Sequence, residues 1–229
     1  MRRLVPLLAG LMLSANALAL ALALALADLT QQDASGGLKD TLSQGAQLAV
    51  QQLGRPGGFS NDPERRIELP GKLGKIAQTM KMMGMGSQVE QLETRMNQAA
   101  EAAVPQAQAL LLDAVRRMTV TDAKAILAGP QDAATQYLDR SSREQIRARF
   151  LPIVKQATDQ VGLAQKYNAF AAQAASFGAI DAKSANLEGY VTDQALDGLF
   201  EVIAAEEAKI RENPATAATS LAKKVFGAL

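Results

Sequence analysis

Four polar positions have the types and spacing for acid–base chemistry. Asn97 and Glu101 lie four apart in an alanine-rich stretch, and the adjacent Glu206 and Glu207 precede Lys209 and Arg211. Two carboxylates can act as general acid and general base when burial raises the pKa of one of them. The same residues serve equally on a solvated helix face, and Glu207 with Arg211 has the i,i+4 spacing of a supporting ion pair, which is the preferred reading. The chain has no cysteine and no histidine. That removes Ser-His-Asp and Cys-His catalysis, imidazole and thiolate metal sites, and disulfides. No glycine-rich phosphate loop follows a strand, and no serine has a nucleophile-elbow or Ser-x-x-Lys context. Enzymatic activity is therefore carried only as an alternative, a carboxylate-dependent hydrolase or lyase, and no cofactor or metal is expected.

Two further segments could make contacts. Residues 54–71 combine three prolines and four glycines with Phe59 and the pair Arg65-Arg66. A connection of this length between helices is usually functional or disordered. As a contact loop it would present Gly58, Phe59, Asn61, Arg65, Arg66 and Pro70 to a partner or an anionic group. In the other reading, which is preferred, Phe59, Ile67 and Leu69 dock on the helices and the arginines are solvated or pair with glutamates. Asn61-Asp62 lacks the spaced acids of a calcium loop. Met80, Met82, Met83 and Met85 cluster around Lys81, Gly84 and Gly86. Flexible, polarizable thioethers on an exposed edge would form an adaptable apolar surface for a lipid tail or a partner helix. Core filling at a helix end competes with that reading, although four methionines in six residues cannot all point inward. Soft-metal binding lacks the spaced partners it needs.

These positions must be held by helices. Alanine, glutamine, leucine and methionine abound, tryptophan is absent, and no β-branched run alternates in polarity, so the chain reads as all-α. Leu38, Leu42, Ala46, Ala49, Val50 and Leu53 repeat at helical spacing before Gly54 and Pro56. Leu73, Ile76, Ala77 and Met80 mark a second helix. Ser87 with Glu90, and Ser141 with Glu144, have the capping-box spacing that predicts helix starts. Pro105 suits the first turn of another helix, and Pro152 predicts a kink or break. A short helix is expected at residues 123–128 and another turn or two at 133–138. Leu163 to Phe177 define an apolar face, residues 178–186 a loop, and residues 188–212 a long helix ahead of a final one carrying Leu221, Val225 and Phe226. Short connections predict a single domain, residues 28–229, folded as an antiparallel bundle or irregular helical array with one long ordered loop at about 54–71.

The first 27 residues predict an address. Arg2-Arg3, an apolar run and an exit at Ala25-Leu26-Ala27 have the three parts of a cleaved secretory signal peptide. The run is also long enough for an uncleaved anchor, the single membrane attachment considered. Setting these residues aside changes the net charge from +1 to −1, so nucleic acid is not an expected partner. An exported, most plainly periplasmic, protein is expected.

Several strings together resemble a known family. Residues 37–46, Gly58-Phe59, residues 66–70, 96–101, 122–127 with Gly129, 134–137 and 197–200 are similar to those of exported bacterial proteins catalogued as domain of unknown function 4197. The resemblance runs from Gly37 to Phe226 and implies a helical, exported protein. Some members carry a lipid anchor, which this cysteine-free chain departs from. Two aromatics are expected where Tyr137-Leu138 stands, and an arginine in the segment Ala215-Thr216-Ala217. The family brings no activity. The resulting expectation is a non-catalytic binding module at the cell envelope for an apolar ligand or an envelope protein, with a structural envelope protein as the alternative.

Overall fold

The computed structural model describes residues 29–119, 121, 123–174 and 186–229. The signal-like segment 1–27, Phe177 and the expected loop up to residue 185 lie outside the described residues. Among the described residues the chain forms eight α-helices and no strand: α1 Gln31–Leu53, α2 Gly71–Met82, α3 Gly86–Arg117, α4 Ala123–Leu127, α5 Ala133–Gln160, α6 Leu163–Ala174, α7 Leu187–Glu212 and α8 Ser220–Gly227, with a 3-10 turn at Pro214–Thr216. None of these helices is long and apolar enough to cross a membrane.

The four long helices close a ring in the order α1, α3, α5, α7 and back to α1. Side-chain contacts set their directions. Lys39 reaches the carbonyl of Arg116 while Gly54 abuts Pro105, so α1 and α3 are antiparallel. Arg149 meets Asp113 and Tyr137 donates to the carbonyl of Thr119, which reverses α5 on α3. Arg147 pairs with Asp193 and Thr135 with Glu207, and Gln44 bonds Glu206, so α7 runs against both neighbours. The apolar stripe of α1 read in the sequence faces the ring, with Leu38, Leu42, Ala46, Ala49 and Leu53 sealed from solvent, and Val89, Leu92, Met96, Ala99, Ala103 and Leu111 of α3 are sealed likewise. The four shorter helices lie outside the ring, α2 on α3, α4 on α1 and α5, α6 on α3 and α5, and α8 on α1.

Helix boundaries differ from the local signals in an informative way. Helix α1 begins earlier than Ser35, where Thr30 accepts the amide of Asp33 as an N-cap. Pro105 and Pro152 start or break nothing, since each lies inside a continuous helix. A proline in a helix interior costs about 3 kcal/mol through one lost bond and a clash with a carbonyl. Both prolines are exposed. The turns on either side bury Ala103, Val104, Ala107 and Leu110, or Phe150 and Val154, and that burial outweighs the local penalty. The expected capping boxes are absent as well. Ser87 is already inside α3, and Ser141 and Ser142 sit within α5 with their hydroxyls donating back to the carbonyl of Leu138. A side chain that would end a helix in isolation is turned to backbone bonding when the helix is held from outside.

Asp113 joins the α3–α5 seam and makes a pH-dependent contribution. Hydrogen bonding to Arg149, with Arg117 and Arg116 nearby, holds its carboxyl below the ordinary value of 3.8. A depressed carboxylate stabilises the fold above its unfolded pKa, and that stability is lost as pH falls through the folded pKa. Asp113→Asn is therefore expected to melt below the parent protein at pH 7 and together with it once the carboxyl is protonated, as read by circular dichroism melts across acid pH. A constant difference at all pH values would refute this role.

Candidate functional site

The connection between α1 and α2, residues 54–70, is irregular and ordered, and the polar residues of α3 are what order it. Glu93, Asn97 and Glu101 are four apart, so they line one side of the helix. Glu101 Oε1 accepts three bonds, from the amides of Phe59 (3.1 Å) and Ser60 (3.0 Å) and from the Ser60 hydroxyl (2.6 Å). Asn97 pairs with both backbone groups of Ile67, accepting its amide at 2.9 Å and donating to its carbonyl at 2.8 Å. Glu93 pairs with Arg66 at 3.3 Å and Lys81 at 3.1 Å. All three helix residues are buried. The two positions singled out for chemistry, Asn97 and Glu101, are thus ties between α3 and the loop.

The loop in turn places its apolar residues inside. Phe59, Ile67 and Leu69 are buried, Phe59 completely. Its ring lies against Gly198 of α7, where an added Cβ would come 2.8 Å from Phe59 Cε1, so glycine makes room for it. Gly58 is also buried, whereas Asn61 and Arg66 are exposed and Pro70 caps α2. Of the expected contact loop, Gly58 and Phe59 are removed from any surface role because burying the ring is worth more than presenting it. Arg65 is partly buried between Asp62 (2.5 Å) and Glu201 (3.4 Å). The expected methionine edge divides in the same manner: Met80 is fully buried on the inward face of α2 and Met85 packs partly on the core, while Met82 and Met83 are 80% and 60% exposed.

Glu206 and Glu207 are likewise internal. Glu207 receives the amides of Ala134 and Thr135, the Thr135 hydroxyl and Arg211. Glu206 accepts from Gln44 and pairs with Lys209. Their placement is that of braces, each held by donors among the described residues.

An open cleft of about 390 Å³ remains between the loop, the first half of α5 and the middle of α7. Arg143 forms its floor, 5.4 Å above the Phe200 ring and 2.7 Å from both Asp139 and Asp197. Burial by itself would lower the guanidinium pKa, but hydrogen bonds to the two aspartates raise it. Five acids, Glu64, Asp132, Asp139, Asp197 and Glu201, line the cleft with three arginines, Arg65, Arg66 and Arg143, and Arg66 is already paired with Glu93. The surplus is negative. Thr135 and Gln136 from the start of α5 complete one wall. Among the described residues no cluster of acids has the grouping to hold a metal ion.

Residues 28–227 match the family model described as "Protein of unknown function (DUF4197)". The chain belongs to this family. No curated protein and no solved structure matches it. Several of the strings that carry the DUF4197 resemblance converge here: Arg66, Thr135-Gln136 and Asp197-Gly198 with Phe200 line the cleft, and Phe59, whose amide Glu101 accepts, packs against Gly198. Arg143, Asp139 and Glu93 were not singled out from sequence. The i,i+4 pair Asp139 and Arg143, and the four-residue repeat Glu93, Asn97, Glu101, were the signals available. Each has the form of an ordinary helix-face pattern until a second helix or a loop is set against it.

Proposed function

We propose that this DUF4197 protein is a non-catalytic, exported binding module that seats a basic segment of an envelope partner protein in the cleft between residues 64–66, α5 and α7. The observation that carries the reading is the Arg143–Phe200 floor held by Asp139 and Asp197 beneath an acidic surplus. A recognition surface already fixed by ion pairs spends little further entropy on binding, and the remaining carboxylates favour lysine or arginine on the incoming chain. Of the residues that could have served catalysis, Asn97 and Glu101 hold the loop, Glu207 holds the start of α5 and Glu206 is engaged by Gln44 and Lys209. Most of the side chains lining this cleft are polar or charged, which favours a peptide segment over an apolar ligand. Export rests on the basic and apolar character of residues 1–27.

A photo-crosslinking side chain at Gln136, exposed in the cleft wall, tests this in cells that make the protein natively. Gln160, exposed at the opposite end of α5, is the control. One defined protein adduct from position 136, missing from 160 and lost in a folded variant that neutralises the rim acids, Glu64→Gln with Asp132→Asn, is expected. Equal adducts at the two positions, or none at 136, would overturn the proposal.

A further inference from the structure

The exposed methionines are on the end of a helix whose charge suits them to one surface. Helix α2 turns Leu73, Ala77 and Met80 onto α3. Its opposite face carries Lys75, Gln78, Thr79 and Met82, all exposed, and Lys75 and Met82 are seven apart, two turns on the same side. Met83 follows at the helix end, and Gly84 turns the chain back with φ +78° and nothing within 4 Å of where a side chain would start. The result is a convex apolar tip. From Leu69 to Gln88 the sequence holds Lys72, Lys75 and Lys81 and no acid. Glu68 and Glu90 lie on the flank occupied by Lys81 and Arg66, and among the described residues of α2 none on the Lys75–Met82 face is acidic.

We infer that the α2–α3 turn docks on an anionic lipid surface, with Met82 and Met83 entering the headgroup boundary and Lys75 meeting the lipid phosphates. A convex pair of flexible apolar side chains needs a deformable acceptor, and lysines beside them add electrostatic attraction to acidic headgroups. The inference is independent of the cleft, which opens between other elements, and both could operate in one molecule.

The chain contains no tryptophan, so Met82→Trp supplies a sole indole at an exposed position that the fold does not use. Addition of vesicles of phosphatidylcholine with phosphatidylglycerol is expected to shift its emission to the blue, with little change for phosphatidylcholine alone. Sedimentation of the unsubstituted protein with the same vesicles is expected to weaken about fivefold in Lys75→Gln and further in the double variant Met82→Ser, Met83→Ser. No blue shift with the acidic vesicles, or equal shifts with both kinds, would overturn the assignment. So would a concentration-dependent dimer in the absence of lipid that the serine variant abolishes, since the tip would then be an interface between two copies of the chain.

Discussion

Replacing Glu207 with alanine is expected to destabilise the protein by about 3–5 kcal/mol, the range for breaking a buried charged pair by removing one partner. Glu207 is 1% exposed. Both of its oxygens serve the start of α5: Oε1 takes the amide of Ala134 together with Arg211 of its own helix, and Oε2 takes the amide and hydroxyl of Thr135 at 2.8 and 2.7 Å. The carboxylate therefore satisfies donors at the start of α5, where the helix dipole also favours negative charge. Arg211 continues the connection by donating to the carbonyls of Leu127 and Ile126 at the end of α4, and its guanidinium lies 5.4 Å from the Phe226 ring of α8. Loss of Glu207 leaves two amides without their acceptor and the enclosed guanidinium without its counter-charge. A melting temperature lowered by roughly 10 °C is the corresponding shift for a chain of this size. Glu207→Gln keeps the shape but supplies one accepting oxygen in place of two, so it should recover only part of the loss. The double variant Glu207→Leu, Arg211→Met should be more stable than Glu207→Ala, because no charge is left buried alone. Thermal and denaturant unfolding of the four proteins decides the matter, and a loss under about 1 kcal/mol for Glu207→Ala would contradict the bracing role.

Glu101→Ala has the second large expected effect, about 3 kcal/mol, from two loop amides and a hydroxyl losing one shared acceptor. Here the conservative variant behaves differently. All three donors meet the same oxygen, Oε1, and a glutamine can present one carbonyl oxygen there. Glu101→Gln is therefore expected to cost only about 1 kcal/mol, whereas Glu207→Gln is expected to cost more. The loop provides a local readout. Arg65 and Arg66 are trypsin sites, and in the parent protein the chain around them is held through Asn97 to Ile67 and through Glu101 to Phe59 and Ser60. Limited digestion should cut Glu101→Ala after Arg65 or Arg66 well before the parent or Glu101→Gln. Equal digestion rates in all three would show that Glu101 does not hold the loop.

The two glutamates also show how far sequence reading could reach into the site. Glu207 and Arg211 are local in the chain, so their pairing follows from helix geometry alone. Their further bonds to residues 126–135 join segments more than 70 residues apart, and spacing carries no trace of them. Asn97 and Glu101 read from sequence as residues of a solvated helix face, with acid–base chemistry as the alternative, and the structure instead buries both. Whether such positions face a substrate or a backbone depends on what packs over them, and here residues 59–67 do. The cleft is less legible still, because its floor and rim come from a loop, α5 and α7, each contributing residues that look like ordinary solvated charges.

By itself the sequence determined the all-α class, the buried face of α1, and the catalytic side chains this chain does not possess. Those properties are compositional or repeat within one helix, and a 3.6-residue period is visible without a fold. Only the tertiary structure decided that α3 and α5 run unbroken through Pro105 and Pro152, that Met80 turns inward while Met82 and Met83 turn out, and that Arg143 and Phe200 meet beneath an acidic rim. In each case the deciding energy is burial or ion pairing between distant segments. It exceeds the local preference of a proline or a cap, and it exists only once the helices have closed their ring.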